Sequence, residues 1–350
     1  MGENKARITI VVTVYNKEKW IKRCLKSIFD QTDPNYELII IDDQSTDNSL
    51  KICRRYCKSL KYKIVTQAHA GPSSARNKGV GLCKSDYIFF VDGDDYIASN
   101  TIEILNQTID SSPELVVFGI NHALEDGHIL MNTQLPKKSY ANKEEIRNDI
   151  VSLWDSNLMY SSCNKLFLLD VIQKNELFFK NKDFGEDLTF VCDFTRCCNS
   201  IVTVNQCLYT YREHRLSSQS KKIRDDLFEI RKDEFYELHR YFYDMEALNK
   251  DAVEYISRRY VERVIGCIEN EASIWNHKSV INKYKMIRMI VEDNTVQESI
   301  KYAELRSRKM KMLTWLVKNK MPHLLFEVGM LISIVKNGFP KLFMILKMHR

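Results

Sequence analysis

The sequence predicts an α/β fold, with a doubly wound, mostly parallel sheet in the first part of the chain and a helical module after it. Strand-like and helix-like segments alternate four times within about 100 residues, which is typical of parallel strands joined by crossover helices. Beyond about residue 221 the pattern becomes helical throughout. We therefore expect two domains, at residues 1–220 and 221–350.

Each predicted element follows from its local pattern. Residues 8–14 are an apolar, β-branched run, which indicates a strand buried on both faces. Ser45, Thr46 and Asp47 supply helix-start side chains for the second helix. The other predicted strands are 37–41, 62–66, 86–91 and 201–209. The predicted helices are one containing Trp20, Ile21, Cys24, Leu25 and Ile28, others ending near Cys57 and Cys83, and two later ones at 223–243 and 252–272.

Composition excludes several classes of protein. Hydrophobic residues make up 44% and charged residues 28% of the chain, so wholesale disorder is not expected. The ten cysteines form no paired CxxC knuckles, which argues against structural zinc. The N-terminus is short and polar and leads into a strand, so it does not read as a signal peptide. These features predict a reducing, cytoplasmic location.

Polar residues follow three of the predicted strands: Tyr15-Asn16, Asp42-Asp43 and Asp92 to Asp95. Ligands of doubly wound sheets bind beyond the carboxyl ends of the strands. The sequence therefore predicts a binding crevice at this edge.

Asp92-Gly93-Asp94-Asp95 is the sharpest of these signals. Three carboxylates within four residues repel one another unless a cation or water relieves them. Mg²⁺ and Mn²⁺ prefer oxygen ligands and often share them with phosphates. An acidic turn that caps the helix after Asn100 is the alternative interpretation.

Two weaker signals lie nearby. Asp42-Asp43 is typical of a solvated turn, although a carboxylate there can also accept from a base or a ribose hydroxyl. Arg76 lies near a predicted helix N-terminus, where the helix dipole disfavours a cation. A surface arginine is one interpretation of Arg76, and a residue facing an anion is the other.

Two later segments also allow two readings each. Glu186-Asp187 fits the acidic first turn of a helix, but Asp187 could instead take a proton from a hydroxyl group. Residues 211–220 are polar and basic, and they fit either a diphosphate clamp or a solvated linker.

Together these motifs resemble the family 2 inverting glycosyltransferases, which have the GT-A fold. The resemblance covers roughly residues 8–220. Asp92 to Asp95 matches the family's DxD motif, and Glu186-Asp187 its later acidic motif. The other matching segments are 12–16 (VTVYN), 40–47 (IIDDQSTD), 71–79 (GPSSARNKG) and 163–167 (CNKLF).

The resemblance implies a role for each matching residue. Asp187 would be the general base, and Asp94 would bind Mn²⁺ or Mg²⁺ with Asp92 in the same metal shell. Arg212 and His214 would reach the diphosphate, with His214 also near the metal. The residues expected around the nucleotide are Thr13, Tyr15, Asn16, Asp42, Asp43, Arg76, Asp92 and Gly93.

The expected reaction transfers a sugar from a UDP-hexose or UDP-N-acetylhexosamine to a glycan or glycolipid acceptor in cell-surface polysaccharide synthesis. Two positions depart from the family: Gln44 replaces a usual glycine and His69 a frequent asparagine. A nucleotidyltransferase is one alternative, but it would want a glycine- and lysine-rich loop where Tyr15-Asn16-Lys17-Glu18 stands. A non-catalytic binding protein that kept the fold is the other, and it predicts loss of the acidic residues.

The C-terminal segment is basic and apolar. Residues 306–350 contain ten Lys or Arg residues and one acidic residue, Glu327. Such a pattern suits contact with an anionic membrane surface, at the inner face of the plasma membrane. A buried helix and an oligomer interface, as in a homodimer, are the alternatives. Nucleic acid is not expected, because aliphatic rather than stacking residues alternate with the basic ones.

Overall fold

The computed structural model describes residues 6–57, 62–182, 184–213 and 223–338. The chain divides into two compact units, residues 1–215 and 216–350. This division and the predicted boundary at residue 220 both fall within 214–222, outside the described residues.

The first unit is built on one ten-stranded sheet with the order β3-β2-β1-β4-β9-β6-β10-β5, in which β7 pairs with β6 and β8 with β10. The pairings among β1 to β4 and between β6 and β10 are parallel, and the others are antiparallel. The strands are β1 Ile8–Val14, β2 Glu37–Asp42, β3 Tyr62–Thr66, β4 Tyr87–Asp92, β5 Tyr96–Ile97, β6 Leu115–Ala123, β7 Ile129–Thr133, β8 Lys138–Tyr140, β9 Lys165–Leu168 and β10 Ile201–Arg212.

Helices connect these strands and complete the α/β architecture that the sequence predicts. Helix α3 packs closely against β1 at Gly79, where an added Cβ would lie 2.4 Å from a methyl carbon of Val11. The helices of this unit are α1 Ile21–Phe29, α2 Ser49–Tyr56, α3 Gly71–Leu82, α4 Thr101–Thr108, α5 Lys143–Asp155, α6 Leu169–Lys174 and α7 Glu186–Cys197.

The structure differs from the sequence prediction in two respects. The strands β5 to β9 were not predicted, and they add an antiparallel part to the parallel half of the sheet. The second helix begins at Ser49, later than predicted. Only Asp47 among the predicted start residues serves that helix, because its Oδ1 accepts from the backbone N–H of Ser49 at 2.8 Å.

The second unit is helical over its described residues, 223–338. Its longest helix, α9, packs against α8, α10, α11 and α13, and a single apolar cluster fills the space between them. The helices are α8 Leu227–Asp244, α9 Lys250–Ala272, α10 Val280–Glu292, α11 Asn294–Tyr302, α12 Arg308–Lys318 and α13 Pro322–Gly338.

Much of the basic, apolar C-terminal segment belongs to this helical core. Leu313, Leu316 and Val317 of α12 and Leu325 of α13 are buried in the apolar cluster. The buried-helix alternative therefore holds for these residues. Within the described ranges, no helix is long and apolar enough to cross a membrane. Residues 339–350 lie outside the described residues.

Candidate active site

Strand register brings the predicted polar residues to one edge of the sheet. Thr13 of β1 is paired with Asp92 of β4, and Val14 is paired with Asp42 of β2. The strands are parallel, so all three chains leave the sheet in the same direction. The residues that follow β1, β2 and β4 therefore share one crevice, as predicted for a doubly wound sheet.

An exposed aromatic pair lies on one side of the crevice. The rings of Tyr15 and His69 are stacked with centroids 4.1 Å apart and planes 22° from parallel. Tyr15 is 41% exposed, which is unusual for an aromatic side chain beside a sheet core. His69 Nδ1 lies 2.8 Å from Oδ2 of the buried Asp43. The pair presents a flat aromatic surface of the kind that stacks on a base.

The two aspartates at the end of β2 have different surroundings. Asp43 accepts hydrogen bonds from the backbone N–H groups of Ala70 at 3.0 Å and Gly71 at 2.9 Å, so it anchors the loop that carries His69. Asp42 is fully buried, and its Oδ2 accepts from the N–H of Ser45 at 3.3 Å. Its Oδ1 has no hydrogen-bond partner among the described residues. A buried carboxylate oxygen in this state is a candidate acceptor for a water molecule or for a donor group of a ligand.

Asn16 holds the neighbouring loops together. Its side-chain oxygen accepts from the backbone N–H of Thr46 at 2.8 Å, and its own N–H donates to Ser45 Oγ at 3.1 Å. Gln44 has a φ of 62°, the left-handed region that favours glycine. The Gln44 side chain accepts from the N–H of His69 at 3.0 Å. The two departures from the family pattern are therefore joined to each other.

Asp92 is the centre of a polar network at the end of β4. Its Oδ1 accepts from Thr13 Oγ1 and from Arg76 Nη2, both at 3.1 Å. Its Oδ2 lies 3.5 Å from the thiol of Cys163. The adjacent Gly93 has no room for a side chain without adjustment, since a Cβ would lie 3.0 Å from the carbonyl oxygen of Thr13.

The other two acidic residues of this motif have separate partners. Asp94 forms an ion pair with the ammonium of Lys17, and its side chain is 13% exposed. Asp95 is buried and accepts from Tyr209 OH at 2.6 Å and from the N–H of Arg212 at 2.9 Å. Burial, together with the charges of Asp94 and Asp92, raises the pKa of Asp95 well above its usual value. Asp95 therefore supports the loop, while Asp92 and Asp94 face the crevice.

Arg76 is a buried cation beneath the acidic residues. It is 3% exposed, and its guanidinium lies 3.1 Å from Asp92, 3.2 Å from Asp187 and 3.3 Å from Glu186. Burial opposes the charge, but these three carboxylates outweigh it and raise the pKa of Arg76. The family resemblance implies that Arg76 contacts the nucleotide. The structure gives it three anionic partners from the chain itself.

Asp187 enters the crevice from the first turn of α7. Gly185, with a φ of 82°, precedes that helix and turns the chain into it. Asp187 Oδ1 accepts from Ser162 Oγ at 2.8 Å and lies 3.2 Å from Arg76 Nη1. The Asp187 side chain is 23% exposed. The carboxylate is thus oriented by two donors and still open to solvent.

The segment carrying Ser162 is secured by a buried lysine. Lys165 is fully buried, and its ammonium donates to the carbonyl oxygens of Leu158 and Ser161 at 2.5 and 2.6 Å. Burial lowers the pKa of Lys165 to about 7, against the opposing charge of Asp187. Lys165 lies in the matching segment 163–167, whereas no sequence pattern predicts a site role for Lys17 or Ser162. Their positions next to the matching motifs are the only sequence signal that could have identified these residues.

The predicted diphosphate residues are partly accounted for. Arg212 ends β10 and is 4% exposed, with its guanidinium 5.9 Å from the ring centroid of Trp20. Burial and the nearby charge of Arg23 lower the pKa of Arg212. His214 lies outside the described residues.

Asp92 and Asp94 fit a hard divalent ion through their carboxylate oxygens. No group of three or more His, Cys, Asp or Glu side chains in the described ranges is arranged to hold a metal by itself. Mg²⁺-type sites need only one or two carboxylates when phosphates supply other ligands. The donor set therefore fits a metal that arrives with a diphosphate.

Comparisons with known proteins agree with this fold and site. Residues 9–174 match the family model described as glycosyl transferase family 2. The glycosyltransferase GlyG of Streptococcus pneumoniae serotype 4 (strain ATCC BAA-334 / TIGR4) is 32% identical over 216 residues, which cover 59% of this chain and 70% of GlyG. EpsH of Bacillus subtilis (strain 168) is 27% identical over 297 residues, covering 84% of this chain and 85% of EpsH.

A solved structure shares the fold. The crystal structure of S. aureus TarS 1–349 in complex with UDP-GlcNAc matches with a TM-score of 0.64 at 17% identity, covering 95% of this chain and 92% of that one. Fold and acidic crevice together define a glycosyltransferase enzyme of the GT-A type. The chain belongs to glycosyltransferase family 2.

Proposed function

We propose that this enzyme transfers a hexose or N-acetylhexosamine from a UDP-sugar to a hydroxyl group of a glycan or lipid-linked glycan, with inversion and with a divalent metal. The observation that carries the proposal is the arrangement around Arg76. This buried cation holds Asp187, the proposed base, and Asp92, the proposed metal ligand, within 3.2 Å of one guanidinium.

The nucleoside half of the donor is assigned to the ends of β1 and β2. The exposed ring of Tyr15 supplies a stacking surface, and the unpartnered oxygen of Asp42 supplies an acceptor for a base N–H or a ribose hydroxyl. UDP is favoured because TarS, which shares the fold, was crystallised with UDP-GlcNAc. His69 covers one face of Tyr15, so a base must stack on the other face or displace His69.

The diphosphate is assigned to the DxD motif. Asp94 and Asp92 would hold Mn²⁺ or Mg²⁺, with Arg212 and His214 as further groups toward the diphosphate. A divalent ion bound there stabilises the negative charge that develops on the departing nucleotide. For Asp94 to serve, its ion pair with Lys17 must open.

Asp187 is assigned the proton transfer. Its Oδ1 is engaged by Ser162 and Arg76, and among the described residues Oδ2 is the oxygen left for an acceptor hydroxyl. As the acceptor oxygen forms its bond to the anomeric carbon, its proton passes to Asp187. The bond from that carbon to the diphosphate oxygen breaks, and its electron pair leaves with UDP. A single displacement of this kind inverts the configuration.

Release of free nucleotide from a panel of UDP- and GDP-sugars tests the proposal. We expect turnover of one UDP-sugar that requires Mn²⁺ or Mg²⁺, stops with EDTA and is lost in Asp187→Asn. No turnover of any donor, with no donor-induced rise in melting temperature, would favour the non-catalytic alternative. Turnover that persists with EDTA would remove the metal from the mechanism.

Peripheral membrane contact is proposed for the tail beyond Gly338. The helix before it, α13, exposes Leu324, Leu331 and Ile334. Truncation near Arg306 would remove buried residues of α12 and α13, so the informative truncation ends at Gly338. Flotation with anionic liposomes should separate full-length protein, which floats, from the truncated chain, which does not. Equal flotation of the two would exclude residues 339–350 as the anchor.

A further inference from the structure

The helical unit contains an open groove that the transfer chemistry does not use. It has a volume of about 800 Å³ and lies between α12, the 303–306 segment and Glu254 of α9. All of its lining residues belong to the helical unit, whereas the acidic crevice belongs to the sheet unit. The groove is therefore a separate feature of the surface.

One face of α12 lines this groove with an aromatic side chain between two cations. Lys311, Trp315 and Lys318 are spaced i, i+4 and i+7, which places them on the same face of the helix. Trp315 is 55% exposed, whereas the neighbouring Leu316 and Val317 are buried. The two lysines are exposed and have no ion-pair partner among the described residues. At a rise of 1.5 Å per residue they stand about 10 Å apart along the axis.

The opposite wall of the groove is held in place by Glu254. The carboxylate of Glu254 accepts from Arg258 at 2.8 Å and from the backbone N–H of Glu304 at 3.1 Å, which ties the 303–306 segment to α9. Arg258 also compensates the charge of Glu254. Lys311 and Lys318 then outweigh the remaining carboxylate, Glu304, so the groove is positive.

One polar group of α12 in the groove has no hydrogen-bond partner among the described residues. Thr314 is 5% exposed and lines the groove, and its hydroxyl oxygen has no hydrogen-bond partner in the described part of the chain. An exposed tryptophan offers a flat apolar surface for the C–H face of a sugar ring, while ammonium groups bind phosphate or carboxylate oxygens.

We propose that this groove binds an anionic glycan chain, with a sugar ring on Trp315 and acidic groups of the chain at Lys311 and Lys318. The choice of a glycan rests on the proposed function, in which a glycan is the acceptor. The groove gives the acceptor chain a second point of attachment, on the helical unit. A groove is concave and suits a single chain, whereas a flat bilayer would contact convex and protruding residues.

Direct binding to the full-length protein tests the inference. The probe is a sugar-substituted poly(ribitol phosphate), compared by calorimetry with dextran, with inorganic polyphosphate and with phosphatidylglycerol vesicles. We expect the glycan polymer to bind more tightly than dextran or polyphosphate. Lys311→Gln with Lys318→Gln should weaken binding about tenfold or more, because exposed cations beside an anionic surface act nearly independently. Trp315→Ala should also weaken it.

Matched controls come from the same unit. Trp275 is 59% exposed and does not line the groove, so Trp275→Ala should bind normally. Lys250→Gln with Lys285→Gln removes two exposed lysines elsewhere and should also bind normally. Melting temperatures of all variants should stay close to wild type, because the replaced side chains are exposed.

The outcomes separate this inference from the proposed function. Equal binding of polyphosphate, or equal weakening of binding in the control variants, would overturn the inference, because binding would then depend only on the overall positive charge of the protein. Vesicle binding that is lost in Trp315→Ala, without glycan binding, would replace it with a membrane site. If glycan binding depends on the groove but no UDP-sugar is turned over, the inference about the groove stands and the proposed transfer is overturned. If a UDP-sugar is turned over but no glycan binds, the proposed transfer stands and the inference about the groove is overturned.

Discussion

Replacement of Arg76 tests the central electrostatic feature of the active site. Arg76→Met keeps much of the apolar volume but leaves Asp92, Glu186 and Asp187 without their shared cation. Breaking a buried ion pair by removing one partner costs roughly 3–5 kcal/mol. The three carboxylates are between 17% and 32% exposed, so water can partly solvate them. We therefore expect the lower end of that range, about 3 kcal/mol.

The loss of stability in Arg76→Met should depend on pH, and protonation of a carboxylate beside Arg76 sets the direction of that dependence. Burial and the charge of Asp187 already raise the pKa of Glu186, and Arg76 opposes that rise. Without Arg76 that opposition is lost, so the folded chain binds a proton on Glu186 more tightly than the unfolded chain does. The stability of the variant therefore falls as the pH rises through and above the unfolded-state values, and protonation at lower pH relieves the loss.

The assay is thermal unfolding of wild type and Arg76→Met at pH 5 and pH 8, followed by circular dichroism. About 3 kcal/mol corresponds to a fall of about 6–12 °C in melting temperature at pH 8, with a smaller fall at pH 5. Arg55→Met, an exposed arginine in α2, is the control and should change stability by less than about 0.5 kcal/mol. A loss in Arg76→Met that is the same at both pH values would refute the reasoning.

Four further predictions concern the proposed roles. Asp187→Asn should lower kcat about 10²- to 10⁴-fold while calorimetry shows nearly unchanged UDP-sugar affinity; an equal loss of both would remove Asp187 as the base. Ser162→Ala should lower kcat while leaving UDP-sugar affinity nearly unchanged, because the Asp187 carboxylate loses a hydrogen bond that orients it; an unchanged kcat would limit Ser162 to a structural role. Tyr15→Ala should weaken UDP binding by about tenfold through loss of stacking, and unchanged affinity would place the base elsewhere. Asp94→Ala should abolish the increase in donor affinity produced by Mn²⁺, which titration with and without the ion would show.

Local pattern predicted the parallel half of the sheet well. The run at 8–14 is a buried strand, the segment at 37–41 pairs with it in parallel, and the segment at 62–66 pairs in parallel with 37–41. Strands such as β9, only four residues long, were missed. Their pairing to β4 and β6 comes from tertiary contacts rather than from a distinctive local sequence.

What the sequence determined by itself is the class of the protein and the edge of the sheet where its site lies. Order and spacing of the motifs at 12–16, 40–47, 71–79 and 92–95 are local properties, and a parallel sheet necessarily gathers such strand ends. The partners of each side chain were decided by the tertiary structure. Arg76 is separated from Asp187 by more than a hundred residues, yet the two lie 3.2 Å apart. Because the guanidinium of Arg76 is buried, it requires nearby anions to compensate its charge. No local sequence pattern indicates which anionic side chains the fold will bring to it.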